Sequence, residues 1–184
     1  MAVHSEHSSY RERLLEHLLI GEILRYLWRQ GVTTAECLRP EVDSGGYDLV
    51  MACNRVLLHI QLKSSHRGAA TAKQTVNIRL AEKPSGCVVW VKFDEGTLAL
   101  GPFLWFGGSP GEPLPELGSF PLARHTKGNA LGFKAARPNL RVLKRAAFEK
   151  VASVPELVER LFGTLTIVPN ALMASPVNRR NAEF

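Results

Sequence analysis

Two short polar segments contain residue types that could hold a divalent cation against a phosphate ester. The first runs from Asp43 to Asp48 and reads Asp-Ser-Gly-Gly-Tyr-Asp, and the second is Gln61-Leu62-Lys63, at the end of an apolar run. A carboxylate such as Asp48 supplies the hard oxygen that magnesium prefers, and magnesium keeps several waters, so one or two carboxylates suffice. A lysine beside it could stabilise negative charge that develops on the phosphate.

An amphipathic helix is predicted ahead of these segments, over about residues 9–29, because apolar residues recur there at three-and-four spacing. Gly31 follows and can end the helix. Glu22 lies within one turn of Leu18, Leu19 and Tyr26, so it borders the apolar face. Its carboxylate is either solvated at the rim of that face or directed inward towards a site, and the sequence leaves both interpretations open.

A β-hairpin is predicted to carry the two polar segments. Its strands are expected over residues 47–52 and 56–63, joined by the short link Asn54-Arg55. Alternation along the second strand directs Leu58, Ile60 and Leu62 towards a core. Gln61 and Lys63 then share the opposite face, as does His59, for which we expect a packing role.

The remaining pattern predicts an α/β protein with a central mixed sheet flanked by helices. Further strands are expected over residues 33–38, 87–93 and 98–106, the last interrupted at Gly101-Pro102. Loops are expected over 64–74 and 107–118. Helices are expected over 75–83 and 153–162, the second starting at a capping box, Ser153-Val-Pro-Glu156, and ending at Gly163. We expect one domain over residues 1–167 and a C-terminal tail over 168–184.

Composition narrows the class of protein. The chain has 184 residues, 45% of them hydrophobic, and a net charge of +6, which favours an acidic partner such as nucleic acid. Its three cysteines show no metal-ligand spacing and are expected to be reduced thiols in a cytoplasmic protein. No apolar run approaches the roughly 20 residues that span a bilayer, and the N-terminus carries no apolar signal stretch, so we expect no membrane partner.

The order of helix, strand, acid after a turn, and strand with polar-x-Lys resembles the PD-(D/E)xK nuclease superfamily, over roughly residues 10–105. Its Gln-x-Lys form is similar to Mrr-type restriction enzymes and some homing endonucleases. The resemblance implies a restriction-endonuclease-like fold, a Mg²⁺ cofactor with Mn²⁺ as a substitute, and hydrolysis of phosphodiester bonds in DNA during anti-phage defence or repair. It implies catalytic roles for Glu22, Asp48, Gln61 and Lys63, and metal ligands from Asp48, the Gln61 amide oxygen and the Leu62 carbonyl.

Gln61 departs from the acid that the family more often has at this position. A unit charge at about 4 Å, in an effective dielectric of about 20, is worth roughly 4 kcal/mol before desolvation. Metal affinity should therefore be lower, and one metal is favoured over two. The departure leaves open a catalytically degenerate nucleic-acid-binding module. An interaction subunit of a larger complex, using the aromatic segment 98–106, is a further alternative, and Asp43 is a rival for the acid.

The densest basic segment is residues 124–145, which contains seven Lys or Arg and no acid. It is either a solvated face or a surface that contacts phosphates. No motif that reads bases is present, so contacts to charge and shape are expected, with DNA as the partner and RNA as an alternative. The sequence leaves open whether the chain forms a homodimer. The predicted phosphate contacts are Lys73, Arg124, Lys127, Lys134, Arg137 and Arg141.

Overall fold

The computed structural model describes residues 7–42, 44–125, 127 and 132–165. Asp43 and the tail expected over 168–184 lie outside these ranges. The described part is a mixed α/β structure with two helices, a six-stranded sheet and a three-stranded sheet. The predicted α/β class is therefore confirmed, while the restriction-endonuclease-like fold stays a prediction.

The elements are numbered here in chain order. They are α1 (Ser8–Arg29), β1 (Glu36–Leu38), β2 (Leu49–Cys53), β3 (Val56–His66), β4 (Lys73–Asn77), β5 (Gly86–Phe93), β6 (Leu100–Gly107), β7 (Leu122–Arg124), β8 (Ala136–Lys144), β9 (Glu149–Val151) and α2 (Val154–Phe162). The large sheet has the strand order β1-β2-β3-β5-β6-β9, in which β3 and β5 are parallel and the other neighbours antiparallel. The small sheet has the order β4-β8-β7 and is antiparallel.

The large sheet is buried on both faces. One face is covered by the two helices, through residues such as Ile23, Leu27 and Leu161, and the other by the small sheet, through residues such as Val76 and Leu143. This double burial explains why β5 is a nearly continuous apolar run, as strands covered on both faces usually are. No helix in the described ranges is long and apolar enough to cross a membrane.

The β2–β3 hairpin is present as predicted. Asn54 and Arg55 have φ angles of 49° and 69°, the left-handed conformation that a tight hairpin turn requires at both central positions. β3 is longer than predicted, because it pairs in parallel with β5 as far as His66 opposite Phe93. The loop predicted over residues 64–74 is therefore wrong at both ends, where strands β3 and β4 extend into it.

Two further segments differ from the prediction. Residues 75–83 are not one helix: β4 continues to Asn77, whose side chain then caps a short 3₁₀ helix, Ile78–Glu82, by accepting the Arg79 N–H. β6 runs unbroken through Gly101 and Pro102, since these residues lie at a bulge in its pairing with β5, where a proline is tolerated. The capping box predicted for the last helix is confirmed by the Ser153 hydroxyl, which accepts the Glu156 N–H.

Candidate active site

A cleft of about 740 Å³ opens at the start of β2, between α1 and β3. Its walls include Asp48, Leu62 and Lys63 from the predicted motif, together with Glu12 and Glu16 from the first turns of α1. The hairpin therefore brings the predicted acid and lysine to one place, although they are separated along the chain.

Asp48 is held against the backbone of β3. Its own N–H donates to the Ile60 carbonyl at 2.9 Å, and its carboxylate Oδ2 accepts the Leu62 N–H at 2.6 Å. The turn before it depends on Gly46, which has a φ of +77° and sits so close to β4 that an added Cβ would lie 2.8 Å from the Asn77 Cβ. The glycine therefore lets the turn lie tightly on β4, two residues before Asp48.

Leu62 contributes through its backbone. In a strand, the N–H and C=O of one residue point to the same side, so the Leu62 carbonyl faces the edge at which Asp48 lies. Lys63 follows it, half-buried, in the wall of the same cleft. Asp48, Leu62 and Lys63 therefore form one candidate site at the point where β2 begins.

The Gln61 amide is directed elsewhere. Its residue is 8% exposed, and its Oε1 accepts the Asn77 N–H at 3.2 Å, so the amide oxygen links β3 to β4. Gln61 does not line the cleft. The structure thus leaves the proposed metal-ligand oxygen of Gln61 in a structural hydrogen bond outside the candidate site.

Glu22 also lies away from the cleft. It forms an ion pair with Arg25 on the exposed side of α1, whereas the cleft is lined by the helix acids Glu12, which is exposed, and Glu16, which is 8% exposed. A sequence signal for Glu16 exists: it precedes the buried Leu19 and Ile23 by three and seven positions, the spacing of one helix face. The prediction for this helix considered only the apolar residues around Glu22 and therefore assigned no role to Glu16.

The Glu16 carboxylate is neutralised by two arginines of the cleft wall. Arg13 Nη1 donates to Oε2 at 3.1 Å, and Arg39 Nε lies 2.7 Å from Oε1. The second contact lacks the angle of a hydrogen bond, so it is an ion pair by proximity. One face of the cleft thus carries one carboxylate and two guanidinium groups, which leaves one positive charge in excess.

Tyr47 separates His59 from the cleft. The two rings meet edge to face with centroids 4.8 Å apart, and only Tyr47 lines the cleft. His59 Nδ1 lies 3.0 Å from the Ser85 carbonyl, which can only accept, so Nδ1 carries the proton. Burial lowers the pKa of His59, and the charge of Lys83 lowers it further, against the opposing effect of the Ser85 hydrogen bond.

The oxygens of the cleft suit a hard cation better than a soft one. No group of three His, Cys, Asp or Glu side chains that could hold a metal exists among the described residues. Asp48 and the Leu62 carbonyl offer two hard oxygens on one edge of β3. That donor set fits a magnesium ion that retains most of its waters, and it does not provide the nitrogen and sulfur ligands that zinc prefers.

The predicted phosphate contacts do not all lie near the cleft. Lys73 is exposed at the start of β4, next to Gln74, which lines the cleft. Arg137 lies seven residues before Lys144 on β8, and Lys144 is opposite Lys73, so Arg137 is about 23 Å further along the strand. The other predicted residues lie on β7, on β8 or between them: Arg124, Lys127 and Lys134, which are exposed, and Arg141, which is half-buried.

No protein-family model matches the sequence, and no curated protein matches it. These comparisons therefore neither support nor exclude the resemblance to the PD-(D/E)xK superfamily.

Proposed function

We propose that this chain is a metal-dependent endonuclease that hydrolyses phosphodiester bonds in DNA. The observation that supports the proposal is the convergence of Asp48, Leu62 and Lys63 in one cleft, with the acid fixed to the backbone of β3. We place the activity in the cytoplasm, which fits three free cysteines, and in anti-phage defence or repair, which rests on the resemblance alone.

In this proposal the residues of the cleft have different roles in hydrolysis. Asp48 and the Leu62 carbonyl would hold Mg²⁺ or Mn²⁺, and such an ion, when bound, neutralises phosphate charge and acidifies water. The Lys63 ammonium stabilises the negative charge that grows on the phosphoryl oxygens as the ester bond lengthens. Arg13 and Arg39 present guanidinium groups to the same cleft, where they can hold a flanking phosphate.

A second candidate is a nucleic-acid-binding module, or a subunit of a larger complex, that has the cleft without the chemistry. The specific observation in its favour is the Gln61 Oε1, which is used by the Asn77 N–H. Without that oxygen, the site has one fewer ligand for the cation. The basic residues of β4, β7 and β8 would then bind nucleic acid without cleavage.

Metal-dependent cleavage of plasmid DNA separates the two candidates. The wild-type protein should nick or linearise plasmid with Mg²⁺ or Mn²⁺ and not with EDTA, whereas Asp48→Asn and Lys63→Gln should lower the rate at least about 100-fold, the scale of losing one electrostatic group. Glu22→Gln is the matched control, because Glu22 lies outside the cleft and should be dispensable. Wild-type rates in Asp48→Asn would refute the site, and an inactive wild-type protein that still binds DNA would establish the second candidate.

A further inference from the structure

The face of β3 that carries Lys63 continues as a polar line away from the cleft. Two residues on, the Ser65 hydroxyl accepts hydrogen bonds from Trp90 Nε1 and Lys92 Nζ, each at 2.8 Å. The register of β3 and β5 places Lys63 beside Trp90 and Ser65 beside Lys92. Lys92 therefore lies on the neighbouring strand β5, two residues beyond the position opposite Lys63.

Lys92 is a buried lysine that has no acidic partner among the described residues. The residue is 5% exposed, and within the described ranges no carboxylate oxygen lies within 4.0 Å of Nζ. Burial lowers the pKa of Lys92, and the positive charge of Arg145 lowers it further. Buried lysines are normally paired with an acid, and the described part of the chain places none within ion-pair distance of Lys92.

Three more cations lie together at one end of the small sheet. Lys73 and Lys144 are directly opposite each other in the β4–β8 pair, where Cβ atoms are about 5 Å apart and like charges destabilise. Arg145 follows, with its N–H donating to the Ala72 carbonyl at 2.8 Å. All three side chains are exposed, and none has a carboxylate within 4.0 Å among the described residues.

We propose that this cation cluster, Lys73, Lys92, Lys144 and Arg145, binds the phosphates of the nucleic-acid strand that passes Lys63. The inference rests on the proposed function for its choice of polyanion. The three exposed residues contact the phosphates, and Lys92, whose Nζ donates to the Ser65 hydroxyl, is the cation of the cluster that lies on the large sheet. An anionic strand offsets the repulsion among these cations, and the polar side chains along β3 lead from the cluster to the cleft.

Binding measured without divalent metal tests the cluster independently of cleavage. Fluorescence anisotropy with a short labelled DNA duplex would compare the wild type with the double variant Lys144→Gln, Arg145→Gln. The control is Arg29→Gln, Arg55→Gln, which removes the same charge from exposed residues at the other end of α1 and β3. Arg55 lies about 33 Å along β3 from Ser65.

The expected result is a weaker salt dependence in the cluster variant alone. Two lost phosphate contacts reduce the slope of log K against log salt by about 1.8, so from about 50 to 200 mM salt the wild type loses roughly 12-fold more affinity than the variant. The slope of the control should match that of the wild type. Thermal unfolding followed by circular dichroism checks that both variants fold.

Several outcomes would overturn the proposal. An unchanged slope in the cluster variant, or an equal reduction in the control, would show that these positions do not contact phosphates. Binding of poly-glutamate in place of DNA would indicate an acidic protein partner instead. The two proposals can fail separately: DNA binding with the expected slopes but without metal-dependent cleavage would refute only the nuclease, and cleavage with unchanged slopes would refute only the cluster.

Discussion

Replacing Glu16 by Gln tests how strongly the arginines of the cleft hold its buried carboxylate. Glu16 has one partner on its own helix, Arg13, three positions earlier, and one from outside it, Arg39. The exposed α1 pair Glu22–Arg25 serves as an internal reference for an ion pair in contact with solvent.

The magnitude follows from the exposure of each partner. The side chain of Glu16 is 9% exposed, but those of Arg13 and Arg39 are 61% and 35% exposed, so solvent screens both pairs. Breaking a fully buried pair costs about 3–5 kcal/mol, and an exposed helix pair contributes about 0.3–0.5 kcal/mol. We expect an intermediate value, about 1–2 kcal/mol, for the coupling of Glu16 with Arg39.

A double-mutant cycle measures this coupling. Urea unfolding of Glu16→Gln, Arg39→Gln and the double variant gives the coupling free energy, and the cycle of Glu22→Gln with Arg25→Gln gives the reference. A loss of about 1 kcal/mol should also lower the Tm by about 2–4 °C. A Glu16–Arg39 coupling no larger than that of the exposed pair would refute the argument that burial makes this carboxylate a fixed part of the cleft.

Two further predictions concern the surroundings of the site. Gly46→Ala should destabilise the fold by about 1–3 kcal/mol, because φ is +77° and the new Cβ would meet Asn77, whereas Gly21→Ala in α1, where nothing lies within 4 Å, should stabilise it by up to about 1 kcal/mol. Equal effects in urea unfolding would contradict this. The lowered pKa of His59 means that the unfolded chain binds more protons between that pKa and about 6.5, so stability should rise with pH across this window. His59→Asn should flatten that rise relative to wild type, and an unchanged profile would show that another group is responsible.

The parts of the fold that the sequence predicted are those fixed by neighbours along the chain. Predicting the hairpin required only that Asn54 and Arg55 stand between two apolar segments. Predicting the start of the last helix required only Ser153 and Glu156, three positions apart. The alternation that buries Leu58 and Ile60 also followed from local pattern.

The features that were missed depend on partners far away in the chain. β4 is a strand because residues 73–77 pair with β8, more than sixty positions later, and its own sequence has no clear period. The same pairing positions Asn77, whose backbone N–H donates a hydrogen bond to Gln61 Oε1. No reading of the segment around Gln61 could have shown that its amide would be used this way.

The geometry of Asp48 explains why the choice of substitution decides what its test can show. β2 begins at Leu49, so the Leu62 N–H has no ladder partner there, and the Asp48 carboxylate accepts it in place of a strand carbonyl. Alanine would remove the charge and also leave this N–H without its acceptor, at a cost of about 1–3 kcal/mol. Asparagine keeps a carbonyl oxygen that can accept the N–H, while it removes the charge and replaces the other oxygen by an NH₂ group. Loss of cleavage in Asp48→Asn, with its stability retained, therefore assigns chemistry to the ionised carboxylate, whereas loss in Asp48→Ala alone is explained equally well by a displaced strand.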